Sequence, residues 1–346
     1  MKVARFYAPG DLRVEEADEP SPSEHEVKIR VHACSTCGTD VKIFGAGHQN
    51  LDPPRVIGHE IAGEVVEVGS AVEGWQPGDR VQVIAAIPCG TCDECVRGRM
   101  TVCPNQVSMG YQFDGGFAEY MIVPQVVLAV DGLNRIPEGL SYAEASVAEP
   151  FACAINAQSI ARVHEGDDVV VVGSGPIGCL HVRLARANGA SRVTLVELNR
   201  GRLEQAADLV KPDETVCAGE VDVVEAILDL TNGRGVDVAI TATAAGVAQE
   251  QAIRYVARQG RVSFFGGLPK DNPIIALDSN LVHYRELTIV GANGSSPDHN
   301  KDALARIASG AVPVDDLITH RLPLDDVHRA IEIVKNGEGI KVTIEP

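Results

Sequence analysis

Val169-Val170-Val171-Val172-Gly173-Ser174-Gly175-Pro176-Ile177-Gly178 is the stretch whose reading decides the fold. Four consecutive β-branched residues describe a strand buried on both faces. A G-x-G-x-x-G string follows at once and opens a segment of helical periodicity over residues 177–188. Isolated, such a string says little; between a strand and a helix it describes the phosphate-binding turn of a dinucleotide fold. Gly173 permits the tight turn, Gly175 lets a pyrophosphate approach the backbone, and Gly178 lets the helix pack on the strand. Pro176 and Ile177 start the helix whose N-terminus faces the anion. A second strand is predicted over residues 192–196. Glu197 stands at its end, about 20 positions on, where an acid accepts hydrogen bonds from the adenosine ribose. That favours NAD over NADP. Arg200 and Arg202 lie close behind and keep open a contact to a 2′-phosphate, which would mark NADP.

Outward from this turn, strands are predicted over residues 236–241, 261–265 and 287–290, each after a helical segment, which makes a parallel sheet with helices on both faces. Gly266 and Gly267, and then Ala292 and Asn293, follow two of these strands at the open end of the sheet, where such folds hold the second half of a dinucleotide. The first half of the chain reads differently. Short strands such as residues 26–32 and 60–67 are broken by Pro53-Pro54 and Pro77-Gly78-Asp79, the pattern of an irregular, barrel-like β region. An amphipathic helix built on Leu324, Val327, Ile331 and Val334 precedes a strand over residues 341–344 that is expected to return to this region. At 346 residues the chain exceeds one typical core. Two domains are therefore predicted, residues 1–151 with 288–346, and residues 152–287 between them.

The formal net charge of -18 opposes a nucleic-acid surface, which needs clustered Lys and Arg. No apolar run reaches the roughly 18 residues that span a bilayer, and the start shows no signal-peptide pattern, so no membrane partner and a cytoplasmic location are expected. The nine cysteines are odd in number, and four crowd between Cys89 and Cys103. Metal ligation under reducing conditions fits that better than disulfides.

Cys89, Cys92, Cys95 and Cys103 are spaced C-x2-C-x2-C-x7-C. Four thiolates on a short loop close a tetrahedral site without an open position, as a structural zinc requires. An iron–sulfur cluster also takes four cysteines, but not at this spacing in the common ferredoxin runs. A nucleic-acid-binding ribbon is disfavoured because Arg97 and Arg99 are offset by Asp93 and Glu94. A second set is more dispersed: Cys37-Gly38-Thr39-Asp40, Gly58-His59-Glu60 and Glu149-Pro150. Each is ordinary alone. Together they offer a thiolate, an imidazole and two carboxylates, a mixed donor set suited to a catalytic zinc with an exchangeable position.

With these strings, the GDRV at residues 78–81 and the DGGFAEY at residues 114–120 in one order, the whole chain resembles the zinc-dependent medium-chain alcohol dehydrogenases, specifically the sorbitol, threonine and polyol dehydrogenase branch. The resemblance implies an α/β chain with a GroES-like β-barrel catalytic domain, Greek-key in character, and a Rossmann-type doubly wound domain. It implies that Cys37 and His59 bind the catalytic zinc, with Glu149 or a water completing the set, and that Glu60 moves in and out of the coordination sphere. Thr39 matches the hydroxyl that takes the substrate proton. Many relatives carry a histidine five residues after the ligand cysteine. This chain has Lys42 there, so the outer relay stays open between Lys42, His48 and neither. Lys341 lies where the family has a basic residue near the pyrophosphate; a solvated lysine is the alternative. Cys34, Cys153, Cys179 and Cys217 read as small buried apolar residues. Asp114, Glu119 and Tyr111 are further residues of undetermined direction near the reacting centre.

The implied substrate is a small-molecule alcohol or ketone: a polyol, sugar, cyclitol or amino alcohol, processed by hydride transfer with NAD(H) in a homodimer or homotetramer. Two rivals remain: a reductase of the same fold using NADP(H), and a binding protein that keeps the fold without the chemistry.

Overall fold

The structure is a computed structural model that describes all 346 residues, Met1–Pro346. The chain divides into two compact units, Met1–Ala152 with Gly294–Pro346, and Cys153–Asn293. The expected α/β architecture, a β-rich unit and a parallel-sheet unit, is present.

The first unit is organised around the strand Val27–Ser35, whose inward residues Val27, Ile29, Val31 and Ala33 are all at most 1% exposed. One edge pairs antiparallel with Glu60–Val68 over its whole length, from Val27 opposite Val68 to Ser35 opposite Glu60. The other edge is shared. Tyr120–Val123 pairs with its beginning, and Lys341–Glu345 pairs with its end, Ser35 opposite Thr343. This register positions the site. Cys37 lies just beyond Ser35, His59 just before Glu60 and Lys341 just before Thr343, so three distant segments deliver their side chains to one end of one strand. Phe6, Ile29, Ile61, Met109 and Phe117 fill the core behind them.

The second unit is a six-stranded parallel sheet. Its spatial order is Glu214–Cys217, Arg192–Glu197, Asp168–Val172, Val236–Thr241, Val256–Phe264, Thr288–Gly291. Chain order reverses at Asp168–Val172, the switch point at which such sheets open a crevice beyond the carboxyl ends of their strands. Val169, Val170 and Val171 are fully buried, as the valine run requires. Residues 288–293 depart from the expected boundary. Thr288–Gly291 hydrogen-bonds in parallel to Val256–Phe264 and so completes the second unit rather than beginning the return to the first. Its backbone groups find their partners in that ladder.

Candidate functional site

In the first unit the helix Gly38–Ala46 begins immediately after Cys37, and Asp40, at the third position of its first turn, accepts from the Cys37 backbone N–H through Oδ2 at 2.8 Å. Asp40 is fully buried, and its Oδ1 lies 3.6 Å from His59 Nδ1. Gly58 makes this approach feasible. Its φ is +89°, and a Cβ there would stand 2.7 Å from Phe117 and 2.9 Å from Cys34 Sγ. Gly116 and Phe117 donate backbone hydrogen bonds to the carbonyls of Gly58 and Ile57, which explains why a DGGFAEY string accompanies the GHE string.

The Cys37, His59 and Glu60 ligand atoms lie within 4.8 Å of one another. His59 Nδ1 and Glu60 Oε1 are buried without a hydrogen-bond partner, an arrangement that is costly unless a cation or a proton satisfies it. Glu60 Oε2 is ion-paired with the Lys341 ammonium, which also donates to the Thr36 carbonyl at 2.8 Å. Burial pushes Glu60 up to about 7, against the opposing pull of Lys341 and His59. For His59, burial disfavours the charged ring, but the Asp40 carboxylate and the Cys37 sulfur outweigh it and hold its proton affinity well above normal. Such a pocket of negative charge and orphaned donor atoms suits a divalent cation.

Glu149 is 7% exposed and acts electrostatically on Glu60 and Lys341, but its carboxylate is not among the three converging donors. Thr39 is half-buried in the first helical turn, and Lys42 on the same helix is exposed. His48 is exposed and packs edge-on against Tyr111 at 4.8 Å, while Tyr111 lies 6.3 Å from the His59 ring and is pushed up to about 12 by burial. Asp114 and Glu119 are engaged elsewhere, with Arg55 and Val56 and with the Lys2 N–H respectively. The expected pyrophosphate role of Lys341 gives way to a different placement. The residue is 3% exposed, and its ammonium is taken up by Glu60 and Thr36. Asp40 is the functional residue that spacing alone did not assign; its signal was an acid three positions after the helix-capping cysteine.

The four-cysteine lobe converges as its spacing requires. Cys92 Sγ lies 3.5 Å from Cys95 Sγ and 3.8 Å from Cys103 Sγ, and Cys89 Sγ lies 4.0 Å from Cys95 Sγ. A tetrahedron of sulfurs about 2.3 Å from a central zinc has edges of about 3.8 Å, so these separations fit a metal and not a disulfide. Backbone N–H groups point at the sulfurs: Cys92 N–H to Cys89 Sγ and Cys89 N–H to Cys103 Sγ, both at 3.3 Å. The Thr91 and Cys92 amides bring Cys89 down to about 5, the thiolate form that ligates metal. Of the remaining cysteines, Cys34, Cys179 and Cys217 are buried as expected, whereas Cys153 is half-buried.

In the second unit Gly173 follows the first strand with φ +107°, and a Cβ on Gly178 would stand 1.8 Å from the Gly173 carbonyl oxygen, so no other residue fits there. Gly175 caps the helix Pro176–Ala187, which has Pro176 at its first position. Glu197 ends the strand Arg192–Glu197 and turns back to this loop. Its Oε2 accepts from the Ser174 N–H and the Ser174 hydroxyl, each at 2.9 Å, and its Oε1 accepts from Leu198 N–H at 2.9 Å and Asn199 N–H at 3.1 Å. Burial alone would raise Glu197, yet these donors and the Arg202 charge lower it, so it stays ionised. Arg202 lies alongside, its guanidinium 3.6 Å from where a Gly175 Cβ would be. Arg200 is drawn away into an ion pair with Glu220. Gly266 and Gly267 follow Val256–Phe264, and Ala292 and Asn293 follow Thr288–Gly291, at the carboxyl ends of their strands. No helix is long and apolar enough to cross a membrane.

Comparison with known proteins matches residues 23–131 to the alcohol dehydrogenase GroES-like domain and residues 176–309 to the zinc-binding dehydrogenase family. The chain is 32% identical to a sorbitol dehydrogenase of Halalkalibacterium halodurans, covering 99% of this chain and 98% of that one. It is 36% identical to an L-threonine 3-dehydrogenase of Pyrococcus horikoshii, covering 94% and 93%. Among solved structures it is similar to a zinc-binding dehydrogenase from Sinorhizobium meliloti bound to NADP, with a TM-score of 0.91 and 32% identity over 100% of this chain and 99% of that one.

Proposed function

We infer, from the premise that this chain belongs to the zinc-dependent medium-chain alcohol dehydrogenase family, that it moves a hydride between NAD(H) and a secondary alcohol of a polyol, sugar, cyclitol or amino alcohol. The observation that carries this reading is the convergence of Cys37, His59 and Glu60 within 4.8 Å beside orphaned buried donor atoms. Zinc and a nicotinamide, when bound, supply Lewis acidity toward the substrate hydroxyl and an acceptor for the hydride.

The chain's own residues do the rest. Cys37, His59 and Glu60 would hold the catalytic metal, with Glu149 adding charge nearby and the Asp40 carboxylate facing His59 Nδ1 at 3.6 Å. The Thr39 hydroxyl takes the proton of the substrate alcohol, and His48, whose ring packs on Tyr111, offers an outward path for it. Cys89, Cys92, Cys95 and Cys103 hold a structural zinc. Gly173, Gly175, Pro176, Ile177 and Gly178 accept the pyrophosphate, Glu197 reads the adenosine ribose, and Gly266, Gly267, Ala292 and Asn293 line the nicotinamide half. The names of the relatives, a sorbitol and an L-threonine dehydrogenase, support vicinal hydroxyl or amino-alcohol substrates.

The NADP(H) reading rests on Arg202 beside the glycine loop and on the NADP-bound neighbour. Against it stands the ionised Glu197, which would repel a 2′-phosphate. A panel of polyols, inositols, sugar acids and threonine, assayed with NAD and NADP together with metal analysis, tests the assignment. About two zincs per chain and NADH formation are expected. One zinc per chain would favour a reductase of the same fold that works without the catalytic zinc, and two zincs without turnover would favour the binding protein.

A further inference from the structure

Resting on the reading of Glu197 as the residue that recognises the adenosine ribose, we propose that the Ser174 hydroxyl is a displaceable stand-in for the ribose hydroxyl and thereby sets how strongly Glu197 binds NAD. An ionised carboxylate offers about four acceptor positions. All four are filled here: two on Oε1 by the Leu198 and Asn199 N–H groups, and two on Oε2 by the N–H and the hydroxyl of Ser174. A ribose hydroxyl arriving as a fifth donor requires one of these to leave.

Three of the four are backbone amides. Ser174 N–H belongs to the turn after Asp168–Val172, and the Leu198 and Asn199 amides belong to the turn that leads into the helix Arg200–Val210. Releasing any of them means moving backbone. The Ser174 hydroxyl alone can give up its position by rotation about a single bond. Ser174 is fully buried, so its displaced hydroxyl would be left short of a partner, and that penalty opposes binding. The second residue of the glycine string, which the turn itself does not constrain, thus acts as a positioning residue through Glu197. A 2′-phosphate has no hydroxyl to donate at that position, so the exchange bears on NAD and not on NADP.

The test is calorimetric titration of the zinc-loaded protein with NAD+, NADH and NADP+, for the parent, Ser174→Ala, Glu197→Ala and the double variant. Ser174→Ala is expected to lower the Kd for NAD+ and NADH about three- to tenfold, to leave that for NADP+ unchanged, and to have no effect on any of them in the Glu197→Ala background. The apo-protein Tm of Ser174→Ala should fall, since a charged hydrogen bond is lost. A raised or unchanged Kd for NAD+ in Ser174→Ala would overturn the stand-in role while leaving Glu197 as the ribose reader. If Glu197→Ala leaves the discrimination between NAD+ and NADP+ intact, the reading of Glu197 fails, and this inference fails with it. Should Ser174→Ala be poorly folded, Ser174→Gly removes the same hydroxyl and carries the same expectations.

Discussion

Asp40 shows how much a single carboxylate can organise. One oxygen receives the Cys37 amide and the other faces His59 Nδ1, so two of the three proposed metal ligands lie against one buried side chain. Asp40→Asn keeps the shape and removes the charge. It is expected to lower kcat/KM by about 10–100-fold and to weaken zinc retention on dialysis, measured by steady-state kinetics and metal analysis; unchanged values of both would deny Asp40 its positioning role. Cys37→Ala or His59→Ala should abolish turnover while NADH binding, followed by fluorescence, persists, because the dinucleotide residues belong to the other unit. Metal chemistry restricts which side chains can serve, so Cys37, His59 and Glu60 could be proposed as ligands from the sequence, whereas Glu149, named with them, is not among the converging donors. The placement of Lys341 was not legible. Charge usage puts lysines in water, and nothing in its neighbours along the chain discloses that a strand register carries it to Glu60.

At the scale of elements, the lobe between Cys89 and Cys103 contains only the short helix Asp93–Val96 and one 3-10 turn. With so little apolar packing, its order depends on the metal. Cys95→Ser is expected to destabilise this unit; a loss of about 2 kcal/mol would lower Tm by about 4–8 °C, seen by calorimetry, with the pH profile of turnover unaltered. The helix Pro176–Ala187 carries a different sensitivity. His181 is fully buried, accepts from Gln158 at Nδ1 and has no partner at Nε2, and burial holds it down to about 3 from an ordinary 6.5. The unfolded chain therefore binds a proton that the folded one refuses. Stability is retained above about 6.5 and declines as pH falls toward 3, by at most about 1.4 kcal/mol per pH unit. His181→Gln should flatten that part of the denaturant-derived pH profile; an identical slope would place the acid sensitivity elsewhere. The valine run, the glycine turn and the acid after the second strand were legible as elements because local pattern determines them. The strand over residues 287–290 was legible too, as a member of the parallel sheet, but the boundary drawn at residue 288 cut it off from that sheet, whereas the second unit runs on to Asn293.

For the molecule as a whole, two separate cores imply two unfolding transitions that respond to different ligands. A zinc chelator is expected to lower the transition of the unit Met1–Ala152 with Gly294–Pro346. NAD at about 100 times its Kd should raise that of Cys153–Asn293 by about 2.7 kcal/mol, both read in differential scanning calorimetry. A single transition shifted equally by both additions would contradict independent cores. The outermost strand Thr288–Gly291 pairs on one side only, and Tyr284, four residues before it in the chain, is 70% exposed. We propose on these features that the chain forms the homodimer or homotetramer expected from the family resemblance; light scattering that returns a monomer mass would overturn it. The strand Lys341–Glu345 lies inside its sheet, held between Val27–Ser35 and Ile318–Pro323. A ribosome making this chain delivers the whole of Cys153–Asn293 before that strand exists. At roughly 5–20 residues per second, the nascent first unit waits on the order of 10–40 s for it after residue 152 has been added. Throughout that interval Glu60 is a carboxylate without its ammonium, and the unfinished sheet is a surface for chaperones to cover.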